Sequence, residues 1–467
     1  RMEWAASSDE LILQRMNRLQ NTNRVLLADA RTGAVRELFT ERDDAWLDVV
    51  NDWRWLEGGK RLLWVSERDG WRHLYTVPRD GGEPRLITPG EFDVISVAAV
   101  DERGGWVYFI AAPGEPTRRY LYRAPLAGGP AERITPAGQP GLHRYDVAPN
   151  ARWALHTYST FDSPPVTELV RLPRHQVVRT LVDNERLRTA TRPLIHRPTE
   201  FFRIDIGEGV ELDGWMILPR DFDPSRKYPL LMYAYSAPAA QTVLDSWGGA
   251  QALWFRMLAD LGYVVASVDN RGTPAPRGRA WRKVIYGVGG ELASREQAEA
   301  VRRLTAARPY LDADRVAIWG WSGGGSATLN AMFRYPDVYR VGMAVAPVPD
   351  ENLYDTIYTE RYLGLPQQNA DGYRRASAIH FAEGLRGDLL IVHGSGDDNV
   401  HYQGTARLVN RLVELGKPFD LMVYPNRSHC ICEGPGTTLH VFSLLTRYLT
   451  DKLPAGGRPA RQPAVGD

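Results

Sequence analysis

Cysteine is nearly absent from this chain of 467 residues: there are two, Cys430 and Cys432, with one residue between them. Two cysteines exclude a disulfide framework and fall short of the ligand set of a tetrahedral metal site. A bond across a single intervening residue is strained, so two free thiols are expected. Charge of one sign is lacking too, since 57 Lys and Arg face 56 Asp and Glu, for a net +1. Without a strong field there is no basis for a nucleic-acid or acidic-membrane partner. No apolar run reaches the roughly 18 residues a membrane span takes, and no signal segment is visible at Arg1-Met2-Glu3-Trp4. No metal and no organic cofactor are expected. What is present is ordinary globular composition, 43% hydrophobic and 24% charged, in a chain long enough for two or three domains.

The first part repeats itself. Leu74-Tyr75 recurs as Leu121-Tyr122, Gly81-Gly82 as Gly128-Gly129, and Ile87-Thr88-Pro89 as Ile134-Thr135-Pro136, each at an offset of 47. Weaker echoes at Leu38-Phe39-Thr40 and at residues 169–173 extend this to about four units. Within them, residues 61–65 and 105–110 read as strands, and Asp80-Gly81-Gly82 and Gly128-Gly129-Pro130 as turns. Units of about 40–50 residues with several strands each indicate β-propeller blades. Because larger propellers are commoner and the chain opens abruptly, half of a larger propeller is the expectation.

After Asn184 the pattern changes. Residues 186–199 form a polar connector, and from Phe201 strands alternate with helices. Apolar runs at 229–235, 263–268, 316–319, 341–345, 389–392 and 421–424 read as strands, and 296–304, 406–415 and 439–449 as helices. That alternation implies a mostly parallel, doubly wound sheet covered on both faces. The boundaries read as a partial propeller over 1–190, a catalytic α/β domain over 191–453 and a disordered Pro-, Gly- and Arg-rich tail over 454–467.

Gly320-Trp321-Ser322-Gly323-Gly324 fits G-x-S-x-G between a strand and a helix, the context of a nucleophile elbow. A serine hydroxyl needs a base, and in this fold the chain order is Ser, acid, His. One strand ends in His393-Gly394-Ser395-Gly396-Asp397-Asp398-Asn399 and the next in a loop closing on Ser428-His429. His429 is therefore the candidate base, Asp397 or Asp398 the candidate acid, and His393 reads as structural. The Gly323 N–H is a candidate oxyanion donor by position, with a second donor expected from the loop after residues 229–235.

These motifs, with Tyr354-Asp355-Thr356-Ile357-Tyr358-Thr359-Glu360-Arg361-Tyr362, Val268-Asp269-Asn270-Arg271-Gly272 and Gly70-Trp71-Arg72-His73-Leu74, resemble the dipeptidyl peptidase IV branch of the prolyl oligopeptidase family. The resemblance implies a catalytic triad of Ser322, Asp397 and His429, and Tyr235 as the second oxyanion donor beside Gly323. It implies a pocket for the residue before the cut, often proline, made by Tyr354, Tyr358, Val348 and Val400, with Asn399 holding a substrate carbonyl. It implies a serine peptidase acting on short peptides after proline or a small residue. It also implies a homodimer, or the missing propeller half as a second chain. A periplasmic or secreted location is expected ahead of a cytoplasmic one. Three departures stand out. Gly323 sits where the family has an aromatic residue, Cys430 where it has glycine, and the glutamate pair that clamps the substrate amine has no counterpart here. Alternatives are an acylaminoacyl peptidase or carboxylesterase with the same triad, and a binding protein with a dead site.

Overall fold

The computed structural model describes residues 1–459. Its contacts divide them into two compact units. The first comprises Arg1–Arg188 with two short segments from later in the chain, Leu244–Trp247 and Ala275–Lys283. By sequence both segments lie within residues 191–453, while their contacts group them with the first unit. Among the described residues no helix is long and apolar enough to cross a membrane.

The first unit contains four sheets of four antiparallel strands, each sheet built from consecutive strands. These are propeller-like blades. The repeat of 47 has a physical cause. Thr88 accepts a hydrogen bond from the Leu74 N–H at 2.9 Å, and Thr135 accepts one from Leu121 at 2.8 Å. The preceding isoleucine N–H of each unit donates to the same leucine's carbonyl. Each threonine is buried and ties the end of a blade to its third strand. Neighbouring blades pack through shared apolar clusters. Ile12, Val25 and Leu27 meet Leu62, Trp64 and Val77, and Leu63 and Val65 meet Val107 and Phe109. The outermost strand, Gln176–Val182, is exposed along its whole length.

Ala275–Lys283 is bound to the first unit by charge. Arg279 reaches Asp43 at 2.6 Å, Lys283 reaches Asp43 and Glu67 at 2.7 Å each, and Arg282 pairs with Asp93 and Glu67. The shorter segment enters through Asp245, whose carboxylate accepts from the Phe161 N–H at 3.0 Å.

The second unit is built on a nine-stranded sheet. Its strands are β1 (Glu200–Asp205), β2 (Glu211–Ile217), β3 (Arg226–Tyr233), β4 (Val264–Asp269), β5 (Leu311–Trp321), β6 (Val341–Val345), β7 (Asp388–Gly394), β8 (Asp420–Tyr424) and β9 (Arg458–Pro459). The order is β1-β2-β4-β3-β5-β6-β7-β8, with β9 beside β3. From β4 to β8 every pairing is parallel, while β1 and β2 are antiparallel additions. The central strands are buried almost throughout, as a sheet covered on both faces requires. Covering helices include Gly290–Ala307, whose Leu292, Glu296, Ala300 and Leu304 lie inward at helical spacing.

Two expectations change here. The polar connector carries a short helix, Glu185–Thr191. Residues 454–459, read as part of a disordered tail, are held in place. Arg315 donates to the carbonyls of Pro454 and Gly456 at 3.2 and 3.1 Å, and Arg458–Pro459 pairs with Arg226 and Lys227. The rest of that tail lies outside the described residues.

Candidate active site

The ends of β3, β5, β7 and β8 deliver Tyr235, Ser322, Asp397 and His429 to one edge of the sheet, where parallel strands finish and ligands bind in open α/β folds. Ser322 links β5 to the helix Gly323–Arg334 with φ 59° and ψ −119°, a strained conformation typical of an exposed nucleophile. Its N–H donates to the Val345 carbonyl at 2.9 Å. The flanking glycines are required by close approach. A Cβ on Gly320 would lie 2.3 Å from the Ala234 carbonyl oxygen, and one on Gly324 2.1 Å from the same atom.

Asp397 has a fully buried carboxylate. Its Oδ1 accepts from the N–H groups of Asn399 at 3.0 Å and Val400 at 2.8 Å. Its Oδ2 lies 2.7 Å from Nδ1 of His429, so that nitrogen carries the hydrogen and Nε2 is left to accept a proton. Asp398 is exposed. The His429 loop is fixed by the indole of Trp321, which donates to the His429 carbonyl at 2.9 Å. The residue preceding Ser322 thus anchors the backbone of the imidazole.

Burial pushes the Tyr235 phenol up, and the neighbouring Ser322 hydroxyl opposes the shift. The Gly323 N–H opens the helix after Ser322. Tyr354 donates to Asn399 Oδ1 at 3.0 Å, and its ring meets that of Tyr358 edge-on at 5.3 Å. Both tyrosines, Val348, Asn399, Tyr235, Ser322 and Gly323 line one cavity of about 170 Å³. Val400 is buried but does not line it; its contribution is the backbone N–H on Asp397. Ser326 bridges the site, donating to the Ser322 carbonyl and accepting from the Val348 N–H at 2.8 Å.

The structure adds two residues that sequence reasoning missed. His393, read as structural, also reaches Asp397 Oδ2, at 3.1 Å. Glu351 lines the cavity beside Tyr354 and Tyr358. The position of His393, four residues before Asp397, is the signal that could have found the first; nothing local marks the second. One expectation is overturned: Cys430 and Cys432 form a disulfide, with Cα atoms 5.1 Å apart. Ile431 between them is buried at φ 42°, so the chain reverses around it and brings the sulfurs together.

A strained serine elbow and a carboxylate-held imidazole at the edge of a doubly wound sheet, in a chain that also carries propeller-like blades, define a propeller-bearing α/β hydrolase. Residues 251–455 match the prolyl oligopeptidase family, and residues 1–165 match the dipeptidyl peptidase IV N-terminal region. The chain belongs to the prolyl oligopeptidase family, in its dipeptidyl peptidase IV-like branch. It is 34% identical over 448 residues to a probable dipeptidyl-aminopeptidase B of Coccidioides posadasii, covering 91% of this chain and 48% of the relative. It is 33% identical over 425 residues to a probable dipeptidyl peptidase 4 of Aspergillus fumigatus, covering 87% and 54%. The crystal structure of Porphyromonas gingivalis dipeptidyl peptidase 4 superposes with a TM-score of 0.91 at 36% identity, covering 97% of this chain and 63% of that one. The chain thus spans about half the length of the curated relatives it matches.

Proposed function

We propose that this chain is a serine dipeptidyl peptidase that cuts short peptides through an acyl-enzyme, accepting proline or a small residue before the cut. Ser322 attacks the carbonyl. His429 takes the hydroxyl proton and returns it to the leaving amine, while Asp397 holds the imidazole. Tyr235 and the Gly323 N–H receive the oxyanion. Tyr354, Tyr358 and Val348 hold the residue before the cut, and Asn399 holds a substrate carbonyl. Water then releases the acyl group by the same route. The observation that carries this reading is the Asp397–His429 contact of 2.7 Å on a loop pinned to the residue before Ser322.

A fluorophosphonate probe tests it. Labelling of the full chain, abolished in Ser322→Ala together with a fall in kcat of roughly 10⁴–10⁶, is the expected result. A Ser322→Ala variant that kept most of its peptidase activity would remove the assignment.

The same reading places the chain in an oxidising compartment, periplasmic or secreted, supported by the Cys430–Cys432 bond. It also includes assembly with a second chain, either another copy or further propeller blades. Exposed Val177, Val178, Leu181 and Val182 on the outermost strand support it.

A further inference from the structure

The cavity beside Ser322 is larger than proline needs. At about 170 Å³ it exceeds the roughly 150 Å³ void that admits benzene in an engineered protein core. Its extension is opened by small residues, among them Gly289, Gly290, Ala293, Gly323 and Ala327. At Gly323 a Cβ would already come within 2.9 Å of the Ala237 methyl, so no side chain from this position fills the space. Proline would leave part of the cavity unfilled.

The cavity is not apolar throughout. Glu351 lines it, and among the described residues no lysine, arginine or histidine pairs with its carboxyl. Burial, and then the like charge of Asp350 beside it, push Glu351 up to about 7. The Tyr358 phenol, raised chiefly by burial, feels the Glu351 charge as well. Thr359 also lines the cavity, and its hydroxyl, in a residue only 3% exposed, has no hydrogen-bond partner. A half-buried carboxyl without a cationic partner and a buried hydroxyl without a hydrogen-bond partner, lining the same cavity, are groups a ligand can satisfy. A cation with N–H donors satisfies both.

We infer that the pocket for the residue before the cut also takes a long basic side chain, lysine or arginine, whose charged end meets Glu351. An aliphatic stem lies along Tyr354, Tyr358 and Val348, as such stems do on apolar surface. The inference rests on the peptidase reading above, because it assumes that the cavity beside Ser322 receives the residue whose carbonyl is attacked.

The test uses the full chain at pH 8 with fluorogenic dipeptide amides ending in proline, lysine, or norleucine as a neutral relative of lysine. Lysine is expected to exceed norleucine in kcat/KM by about tenfold or more. In Glu351→Gln the ratio of lysine to proline should fall by about the same factor. Fluorophosphonate labelling of the variant reports whether its site is assembled, and the lysine-to-norleucine comparison needs no variant at all. Norleucine equal to lysine would overturn the inference while leaving the peptidase reading intact. So would a Glu351→Gln loss equal on all three substrates, since that would assign Glu351 to the substrate's amino terminus. Absence of both labelling and cleavage would overturn the two readings together.

Discussion

His393 and His429 meet at one atom: Oδ2 of Asp397 lies 3.1 Å from Nε2 of the first and 2.7 Å from Nδ1 of the second. Nε2 of His393 also faces the Val400 carbonyl at 2.8 Å, and a carbonyl can only accept, so this nitrogen carries a hydrogen. The Thr405 hydroxyl, 2.7 Å from Nδ1, then donates. His393 is thereby a neutral donor, consistent with burial pushing its pKa down. It does not touch the reacting atoms. It is a positioning residue that sets the carboxylate for His429.

Replacing His393 by Ala should therefore lower kcat by about 10–100-fold, the worth of a hydrogen bond to a charged group, with KM little changed. Gln, which retains a donor, should recover part of the loss. A change confined to KM, or equal losses for Ala and Gln, would assign His393 to packing alone.

On the proposed mechanism Tyr235→Phe should cost about 10²–10³ in kcat, because the phenol donor that mechanism gives to the developing oxyanion acts chiefly in the transition state. Steady-state kinetics on a proline dipeptide amide would measure it. Near wild-type turnover would leave the oxyanion to backbone donors.

Gly324→Ala should disrupt the elbow. The new methyl would press on the Ala234 carbonyl, and the backbone there is fixed by the hydrogen bond from Ala234 N–H to the Trp319 carbonyl at 3.1 Å. Overpacking of this kind costs about 1–3 kcal/mol and displaces Ser322. Thermal melting and the rate of fluorophosphonate labelling should both fall.

The first unit should lose stability in acid. His143 and His156 are buried in a ring stack, with Nδ1 of His143 2.8 Å from Nε2 of His156, and His175 lies edge-on to His156. Burial lowers all three pKa values from 6.5, that of His143 to about 4, and for His156 the neighbouring rings add to it. The facing groups are Arg133, Tyr120, Tyr145, Tyr158 and Glu168, the last pushed up by burial. With folded values below unfolded ones, the unfolded chain binds more protons, so stability falls as pH drops below about 6.5. The slope should approach about 1.4 kcal/mol per pH unit for each of His143 and His156. Denaturant titrations between pH 5 and 8 would show it, and a flat profile would contradict it.

The blades were legible because the two middle units repeat a threonine that accepts from a leucine N–H, so spacing records a hydrogen bond. The elbow was legible because Gly320 and Gly324 have no room for a side chain. Strand β5 is longer than its apolar core, since it begins in the polar stretch from Leu311 to Arg315. Glu185–Thr191 was missed because it lacks an apolar stripe. The Cys430–Cys432 bond was misjudged because spacing alone did not reveal the left-handed turn at Ile431. His393 was passed over although Asp397 stands only four residues on, whereas Glu351 owes its place to a cavity assembled from several elements, which no local pattern encodes.

The segment Ala275–Lys283 bears on how this protein can be dissected. A truncation starting at residue 189 would keep Arg279, Arg282 and Lys283 but discard Asp43, Glu67 and Asp93, stranding three cations without their acids. The hydrolase is therefore no detachable cassette. Grafting it onto another scaffold requires either carrying those acids along or neutralising the cations in the same step.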